Sequence, residues 1–224
     1  GLYKALMNLG YFLDKAADRV PEKTAVICEG RSATYRALKR RSDSLAASLA
    51  RRGILKGARV ALLAHNSIEY IETLFALMKL GAVCVPINTR LTAAETAVLL
   101  DHCSPAGIVY DRELAEKVSG DTAAAAMRIV IGGDQDPQAF AYESFVAAPA
   151  TPCDASVTED DPSCIIYTAG TTGSPKGVVL THGNQLWNTL NYTAAYALCP
   201  EDIELAPTPL FHSSTLGRVF TYVF

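Results

Sequence analysis

The sequence lacks any strong imbalance of charge. Its 224 residues carry a formal net charge of −3 at pH 7, which argues against a nucleic-acid-binding surface built on bulk basicity. The one basic cluster lies in residues 35–53, where the cationic side chains alternate with leucine and alanine at helical spacing. This pattern predicts a solvated helix face rather than a binding patch. We therefore predict no nucleic-acid partner.

Paired cysteine motifs and long apolar runs are also lacking. The six cysteines lie far apart, without a C-x-x-C pair and without a histidine at ligand spacing: Cys28, Cys84, Cys103, Cys153, Cys164 and Cys199. This spacing predicts buried free thiols in a reducing cytosol, and hence a cytoplasmic protein, rather than disulfides or zinc. Residues 1–20 contain acidic side chains and no long apolar core, so we predict neither a signal peptide nor an integral membrane segment.

Several nucleotide-binding and hydrolytic motifs are missing as well. Gly170 is followed at the Walker A spacing by Pro175, and Lys176 precedes Gly177, so the order of residues does not match a P-loop. There is no G-x-G-x-x-G after a strand, no G-x-S-x-G and no H-E-x-x-H. These absences argue against a dinucleotide fold, a serine hydrolase with a nucleophile elbow and a zinc peptidase.

What the sequence does contain is an alternation of β-branched runs with segments of helical period. A hairpin is predicted over 24–35, around Glu29-Gly30. Further strands are predicted at 58–64, 82–87, 106–110, 127–131, 163–168, 177–181 and, as "IELAP", 203–207, and helices at 35–52, 67–80, 92–103, 111–119, 140–147, 183–197 and 215–224. This order predicts an α/β fold with helices packed on a mostly parallel sheet.

The polar, proline-rich residues 148–163 predict a surface connection between two lobes. We therefore divide the chain into a first α/β lobe, 1–150, and the start of a second, 151–224. The apolar helix pattern stops at residue 224 without a cap or a polar tail, and residue 1 is a glycine. We expect the chain to be cut at both ends.

The stretch "YTAGTTGSPKGVVLTHGN", residues 167–184, combines glycines with hydroxyl side chains and one lysine, and no carboxylate interrupts it. Glycine lets backbone N–H groups approach a ligand closely, and successive N–H groups in a turn form an anion-binding nest. The donors are the hydroxyls of Thr168, Thr171, Thr172 and Ser174, the ammonium of Lys176 and the backbone of Ala169, Gly170 and Gly173, with Pro175 stiffening the exit. The alternative is a plain hairpin connection of coincidental composition.

With its preceding strand, "IIYTAGTTGSPKGVVLTHGN" closely resembles the phosphate-binding signature of the adenylate-forming superfamily, which includes acyl- and aryl-CoA synthetases, peptide-synthetase adenylation domains and luciferases. Ala169 stands where serine is usual. Residues 14–38, 57–95 and 207–217 resemble further family blocks in the expected order. The resemblance implies the amino-terminal portion of a layered αβαβα large domain, with mostly parallel sheets and flanking helices.

The resemblance also implies a reaction. A carboxylate attacks the α-phosphate of ATP, and coenzyme A then takes the acyl group. Residues 168–176 are implied to hold the β- and γ-phosphates, with Mg²⁺ bridging oxygens beside Thr172, and His212 to lie near the α-phosphate and the carboxylate. For His212 a capping or core role is the alternative, and for His182 we favour a structural role.

A fatty acid is the substrate that the resemblance suggests first. An aryl-acid or amino-acid adenylating enzyme, and a non-catalytic phosphate- or partner-binding domain, are alternatives, and a homodimer is possible. Family segments that belong downstream of residue 224 are absent from the sequence. We therefore expect the fragment alone to be inactive.

Overall fold

A computed structural model describes residues 8–118, 126–133, 137–150, 155–168 and 175–224. The helices are α1 (Gly10–Arg19), α2 (Tyr35–Ala50), α3 (Ile68–Leu80), α4 (Ala93–Cys103), α5 (Tyr142–Val146), α6 (His182–Tyr196) and α7 (Ser213–Val223), with a 3₁₀ helix at Arg112–Lys117. The strands are β1 (Thr24–Cys28), β2 (Arg31–Thr34), β3 (Arg59–Leu63), β4 (Val83–Pro86), β5 (Gly107–Asp111), β6 (Met127–Ile131), β7 (Phe140–Ala141), β8 (Pro162–Thr168) and β9 (Lys176–Thr181).

Seven strands form one sheet in the order β7-β6-β5-β3-β4-β8-β9, and β1 pairs with β2 in a separate hairpin. Every neighbouring pair in the seven-stranded sheet is parallel except β8 and β9, which are antiparallel. The predicted α/β class with a mostly parallel sheet is therefore confirmed. The chain leaves β3 for β4 on one side and then crosses to β5 on the other, which makes the β3–β5 boundary a topological switch point.

The helix α3 is the centre of the molecule. All thirteen of its residues are buried, and it contacts α1, α2, β1 and β4. The Ser67 hydroxyl caps its start by accepting a hydrogen bond from the backbone N–H of Tyr70, and Gly81 ends it in the left-handed conformation. A helix that is apolar on all sides is stable only when it is surrounded, and here the sheet and two helices surround it.

The basic helix α2 differs from its predicted solvated face. Arg36 is exposed as expected, but Arg41 reaches inward to Glu72 of α3 and also pairs with Glu143. The guanidinium of Arg52 lies 4.3 Å from the ring centroid of Phe145. Much of the basic character of this helix is therefore used in contacts within the chain.

The prediction of a strand at 203–207, "IELAP", is wrong. Residues 203–207 form no strand, and the side chains of Ile203 and Leu205 are 89% and 79% exposed. An apolar alternation needs a neighbouring strand, and no described segment pairs with this one. The other predicted strands are present, and residues 111–119, predicted as a short helix, hold the 3₁₀ helix.

The predicted lobe boundary at residue 150 does not separate two sheets. Cys84 of β4 pairs with Cys164 of β8, so the strands that follow residue 150 continue the sheet that precedes it. The two-lobe division stays a prediction. The five described cysteines are free thiols. Cys84, Cys103 and Cys164 are buried as predicted, whereas Cys28 is half-buried and Cys199 is exposed; Cys153 lies outside the described residues. None of the described helices is long and apolar enough to cross a membrane.

Candidate phosphate- and acid-binding site

The predicted phosphate loop connects β8 to β9. The two strands pair until Thr168 lies directly opposite Lys176, so both ends of the loop meet at the top of this hairpin. The side chains of Thr168 and Lys176 are exposed, and Pro175 is half-buried. The other predicted phosphate-binding residues, and the predicted metal-binding residue Thr172, lie outside the described part of the chain: Ala169, Gly170, Thr171, Thr172, Gly173 and Ser174.

Packing between the residues next to the loop holds the two strand ends together. Tyr167 and Gly177 are direct cross-strand partners, and a Cβ atom on Gly177 would lie 2.7 Å from Ile165 and 3.4 Å from the Tyr167 ring. The Tyr167 hydroxyl and Nδ1 of His102 are 2.7 Å apart, and burial raises the pKa of that hydroxyl. An aromatic ring over a cross-strand glycine is a recognised way to secure a glycine in a sheet. The sequence assigned no role to His102.

The residues after β9 anchor the hairpin to the core. Thr181 caps α6 and forms a reciprocal capping box with Asn184. His182 is fully buried, and its Nδ1 accepts a hydrogen bond of 3.3 Å from the backbone N–H of Leu9. Burial lowers the pKa of this imidazole to about 4, so it is neutral at pH 7. The position of His182 fits the structural role favoured from the sequence.

His212 lies at the start of α7 with its side chain exposed. It is the N-cap residue by its backbone, but its side chain makes no capping hydrogen bond. Its ring centroid lies 4.4 Å from that of the buried Phe211. A core or capping histidine would be buried or bonded to the helix, so the structure shows neither of these two alternatives, and a role of His212 at a ligand stays a prediction.

A cavity of about 270 Å³ lies between the end of β9, α6 and the start of α7. Its lining residues are mostly polar by type, but they present polar and apolar surface to the cavity in equal amounts: Leu180, Asn184, Gln185, Asn188, Tyr192, Ser213 and Ser214. Gln185 is 4% exposed, and its Nε2 atom has no hydrogen-bond partner among the described residues. Gly217 faces this group, because a Cβ there would lie 3.0 Å from Asn188 and 3.4 Å from Gln185. The cavity therefore begins one residue after His212 and offers donors to a ligand.

A second, more open cleft of about 860 Å³ lies at the carboxyl ends of β3 and β5. There the carboxylate of Asp111 accepts a hydrogen bond from the backbone N–H of His65 at 2.7 Å, and Nδ1 of His65 lies 2.9 Å from Asp111 and 3.1 Å from Glu113. The three side chains are close enough together to share an ion. Exposed groupings of this kind are common without an ion, so the cluster has no assigned role here.

The sequence model that describes AMP-binding enzymes matches residues 13–224. The chain belongs to the AMP-binding enzyme family. The adenylate-forming fold is shared as well: a long-chain-fatty-acid-CoA ligase from Archaeoglobus fulgidus superposes with a TM-score of 0.85 at 29% identity, over 96% of this chain and 45% of that one. The family resemblance of the 167–184 stretch is confirmed.

Two curated relatives from the AMP-binding family are similar to nearly the whole chain. A feruloyl-CoA synthase from Amycolatopsis is 37% identical over 212 residues, which is 95% of this chain and 41% of the relative. An indoleacetate–CoA ligase from Aromatoleum aromaticum is 34% identical over 218 residues, 96% of this chain and 43% of the relative. The chain thus spans about two fifths of the length of these relatives.

The described residues fit the phosphate ligand that an AMP-binding enzyme requires. The Lys176 ammonium forms no ion pair with a carboxylate in the described ranges, and the Thr168 hydroxyl is exposed on the opposite strand end. A lysine that is not neutralised by its own chain retains its charge for an anion. Both residues lie within the range that the family model matches, and their role at a phosphate stays a prediction.

Proposed function

We propose that the whole protein activates a carboxylic acid with ATP to an acyl-adenylate and then transfers the acyl group to coenzyme A. One observation carries the proposal: the β8–β9 hairpin holds Thr168 opposite Lys176, which has no carboxylate partner among the described residues, inside a stretch that belongs to the AMP-binding family. The names of the relatives, a feruloyl-CoA synthase and an indoleacetate–CoA ligase, support the thioester product.

The chain would contribute mainly electrostatics to the first step. A carboxylate and a triphosphate repel each other, so donors at the leaving pyrophosphate lower the barrier most. Lys176 would place its charge there, Thr168 would donate from the facing strand, and backbone N–H groups of 169–174 would complete the nest. The packing of Tyr167 against Gly177 would keep both strand ends aligned. Mg²⁺ beside Thr172 would neutralise phosphate charge when bound, and this ligand stays a prediction.

His212 would act at the acid end of the site. Its exposed imidazole stands at the start of α7, and the cavity lined by Ser213 and Ser214 continues from it. The start of a helix favours anions because its first N–H groups lack partners within the helix. A substrate carboxylate held there would accept a hydrogen bond from the imidazole. The rest of the substrate would occupy the cavity.

For the acid itself we propose an aromatic acid that carries hydrogen-bonding substituents. The amide groups of Asn184, Gln185 and Asn188 line the cavity with Tyr192. Nε2 of Gln185 is buried without a partner among the described residues, and an alkyl chain would leave it unpaired at a cost of about 1–3 kcal/mol. The names of the two relatives describe aromatic acids. The fatty acid suggested by the sequence is the alternative, and the structural neighbour from Archaeoglobus fulgidus represents that class.

The test is carboxylate-dependent exchange of labelled pyrophosphate into ATP by the full-length protein. Lys176→Ala should lower the exchange rate about 10²-fold, because it removes one preorganised donor from developing charge. Lys15→Ala, at an exposed lysine of α1, is the matched control and should leave the rate unchanged. Equal rates for the two variants would remove Lys176 from the site.

A panel of acids tests the substrate proposal in the same assay. Hydroxylated and methoxylated cinnamates should exceed unsubstituted cinnamate and octanoate in the ratio of kcat to KM. A preference for octanoate would favour the fatty-acid alternative. A homodimeric assembly and a cytoplasmic location stay predictions.

A further inference from the structure

The segment that leads to His212 has little regular structure of its own. Residues 202–207 are neither helix nor strand, and the side chains of Ile203 and Leu205 are exposed. Only at Leu210 and Phe211, which are 4% and 6% exposed, does the segment enter the core. A backbone without a strand partner needs other hydrogen bonds to hold one conformation.

The side chain of Asn66 provides such hydrogen bonds. Its Nδ2 donates to the backbone carbonyl of Thr208 at 3.0 Å, and its Oδ1 accepts from the backbone N–H of Leu210 at 2.8 Å. A single carboxamide thus bonds the same backbone twice, at positions 142 and 144 residues further along the chain. This is the pairing that a neighbouring strand would otherwise offer.

Asn66 itself is held by the most buried part of the molecule. It lies between the end of β3 and Ser67, the cap of α3. Its backbone carbonyl accepts a hydrogen bond of 3.3 Å from the Cys28 thiol. Both β3 and α3 belong to the core. The backbone polar groups of Thr208 and Leu210 are therefore bonded to the end of β3 through one side chain, while the buried side chains of Leu210 and Phe211 pack beside them, directly before His212.

We propose that Asn66 is a positioning residue that orients His212 by clamping the 208–210 backbone. The proposal rests on the proposed function only in taking His212 to face the reacting carboxylate. Freeing the clamp lets the imidazole occupy orientations that do not reach the substrate, and a misplacement of about 1 Å can cost about 10²-fold in rate. Binding of ATP, which uses the β8–β9 hairpin, is not affected by this movement.

The experiment uses the full-length protein and three variants. Asn66→Ala removes both hydrogen bonds, and Asn66→Asp keeps the acceptor for Leu210 while losing the donor to Thr208. Asn88→Ala is the matched control, because Asn88 also follows a parallel strand, but among the described residues its side chain bonds only the nearby backbone N–H of Arg90. Pyrophosphate exchange gives kcat and the KM for ATP, and hydrogen–deuterium exchange of the peptide covering 205–212 gives the protection of the clamped backbone.

We expect Asn66→Ala to lower kcat by about 10- to 100-fold with less than a threefold change in the KM for ATP, and to lose protection in 205–212. Asn66→Asp should fall between Asn66→Ala and the wild type, and Asn88→Ala should match the wild type. Should Asn66→Ala fail to fold, Asn66→Asp decides by the same two measurements.

Two results would overturn the clamp: unchanged protection in both Asn66 variants, or a loss of kcat that Asn88→Ala reproduces. A wild-type protein that exchanges pyrophosphate with no acid would instead contradict the proposed function. In that case the protection of 205–212 still decides whether Asn66 holds this backbone.

Discussion

The helices α3 and α6 begin with similar caps but differ in how much of each helix is buried. Each follows a strand of the same sheet and is capped by a hydroxyl side chain, Ser67 for α3 and Thr181 for α6. All thirteen residues of α3 are buried, whereas α6 buries five of its fifteen and leaves Trp187 and Tyr196 more than 60% exposed.

The polar groups of the two helices differ in the same direction. In α3 the charged side chains are paired: Glu69 with Arg31, Glu72 with Arg41, and Lys79 with Asp14 and Asp43. In α6, by contrast, four buried polar atoms have no partner within the described residues, whereas in α3 the Tyr70 hydroxyl is the one such atom found there. The four atoms of α6 are Nε2 of His182, Nε2 of Gln185 and the hydroxyls of Thr189 and Thr193.

This contrast separates stability from binding. Buried groups that satisfy one another stabilise the fold, and buried donors without a protein partner are suited to a ligand or another surface. Among the described residues, α3 is therefore the structural centre, and α6 is the wall of the candidate acid site.

Arg41→Leu tests the stabilising half of this comparison and should have the largest effect. The substitution leaves Glu72, whose side chain is 1% exposed, with the Tyr142 hydroxyl at 2.9 Å but no cation. Burial already raises the pKa of Glu72, and the loss of Arg41 removes the charge that opposes this rise. The free energy of unfolding should fall by about 3–5 kcal/mol at pH 7, measured by urea denaturation.

Arg36→Leu on the same helix is the control. Arg36 pairs with Glu22, and both side chains are mostly exposed, so the loss should be below about 1 kcal/mol. Equal losses for the two variants would mean that the α2–α3 ion pair contributes no more than a surface pair, and the paired charges of α3 would not explain its stability.

The contrast between α3 and α6 also shows what the sequence can specify. The ends of α3 were predictable because Ser67 and Gly81 are local signals. The phosphate loop could be proposed from the sequence because its donors are consecutive in the chain, and its role stays a prediction. The contacts of Arg41 with Glu72 and of His102 with Tyr167 were not predictable. They join residues 31 and 65 positions apart, and no local pattern encodes them.

The failed strand at 203–207 shows the same limit from the other side. Its apolar alternation is a genuine local signal, but a strand also requires an edge to pair with. For His212 the sequence left a core or capping role open, and only the structure, with an exposed residue and no cap hydrogen bond from its side chain, argues against both.

The pH dependence of stability that arises from His182 tests the part of the comparison that concerns α6. Its pKa of about 4 in the folded protein lies below the ordinary value of 6.5, so the unfolded chain binds the proton more readily. Stability that is present above pH 6.5 is therefore lost as the pH falls, and by pH 4 the loss from this group should reach about 3 kcal/mol.

His182→Asn retains an acceptor for the Leu9 N–H and has no titrating ring. Urea denaturation between pH 7 and pH 4 should give a shallower loss of stability for the variant than for the wild type. Parallel curves would show that His182 does not titrate below its ordinary range, and its burial would then not account for the anchoring of α6.

The smallest effect comes from one matched pair of substitutions that compares the two helices directly. The Thr73 hydroxyl of α3 donates to the carbonyl of Glu69 at 2.7 Å, whereas the buried Thr189 hydroxyl of α6 has no partner in the described part of the chain. Thr73→Val should lower the free energy of unfolding by about 1 kcal/mol, because it deletes a satisfied hydrogen bond. Thr189→Val should leave the free energy of unfolding unchanged or raise it, because it deletes a hydroxyl that the fold does not use.

Equal losses in urea denaturation would show that α6 satisfies its polar groups as α3 does. The assignment of α6 to binding would then rest on the cavity alone.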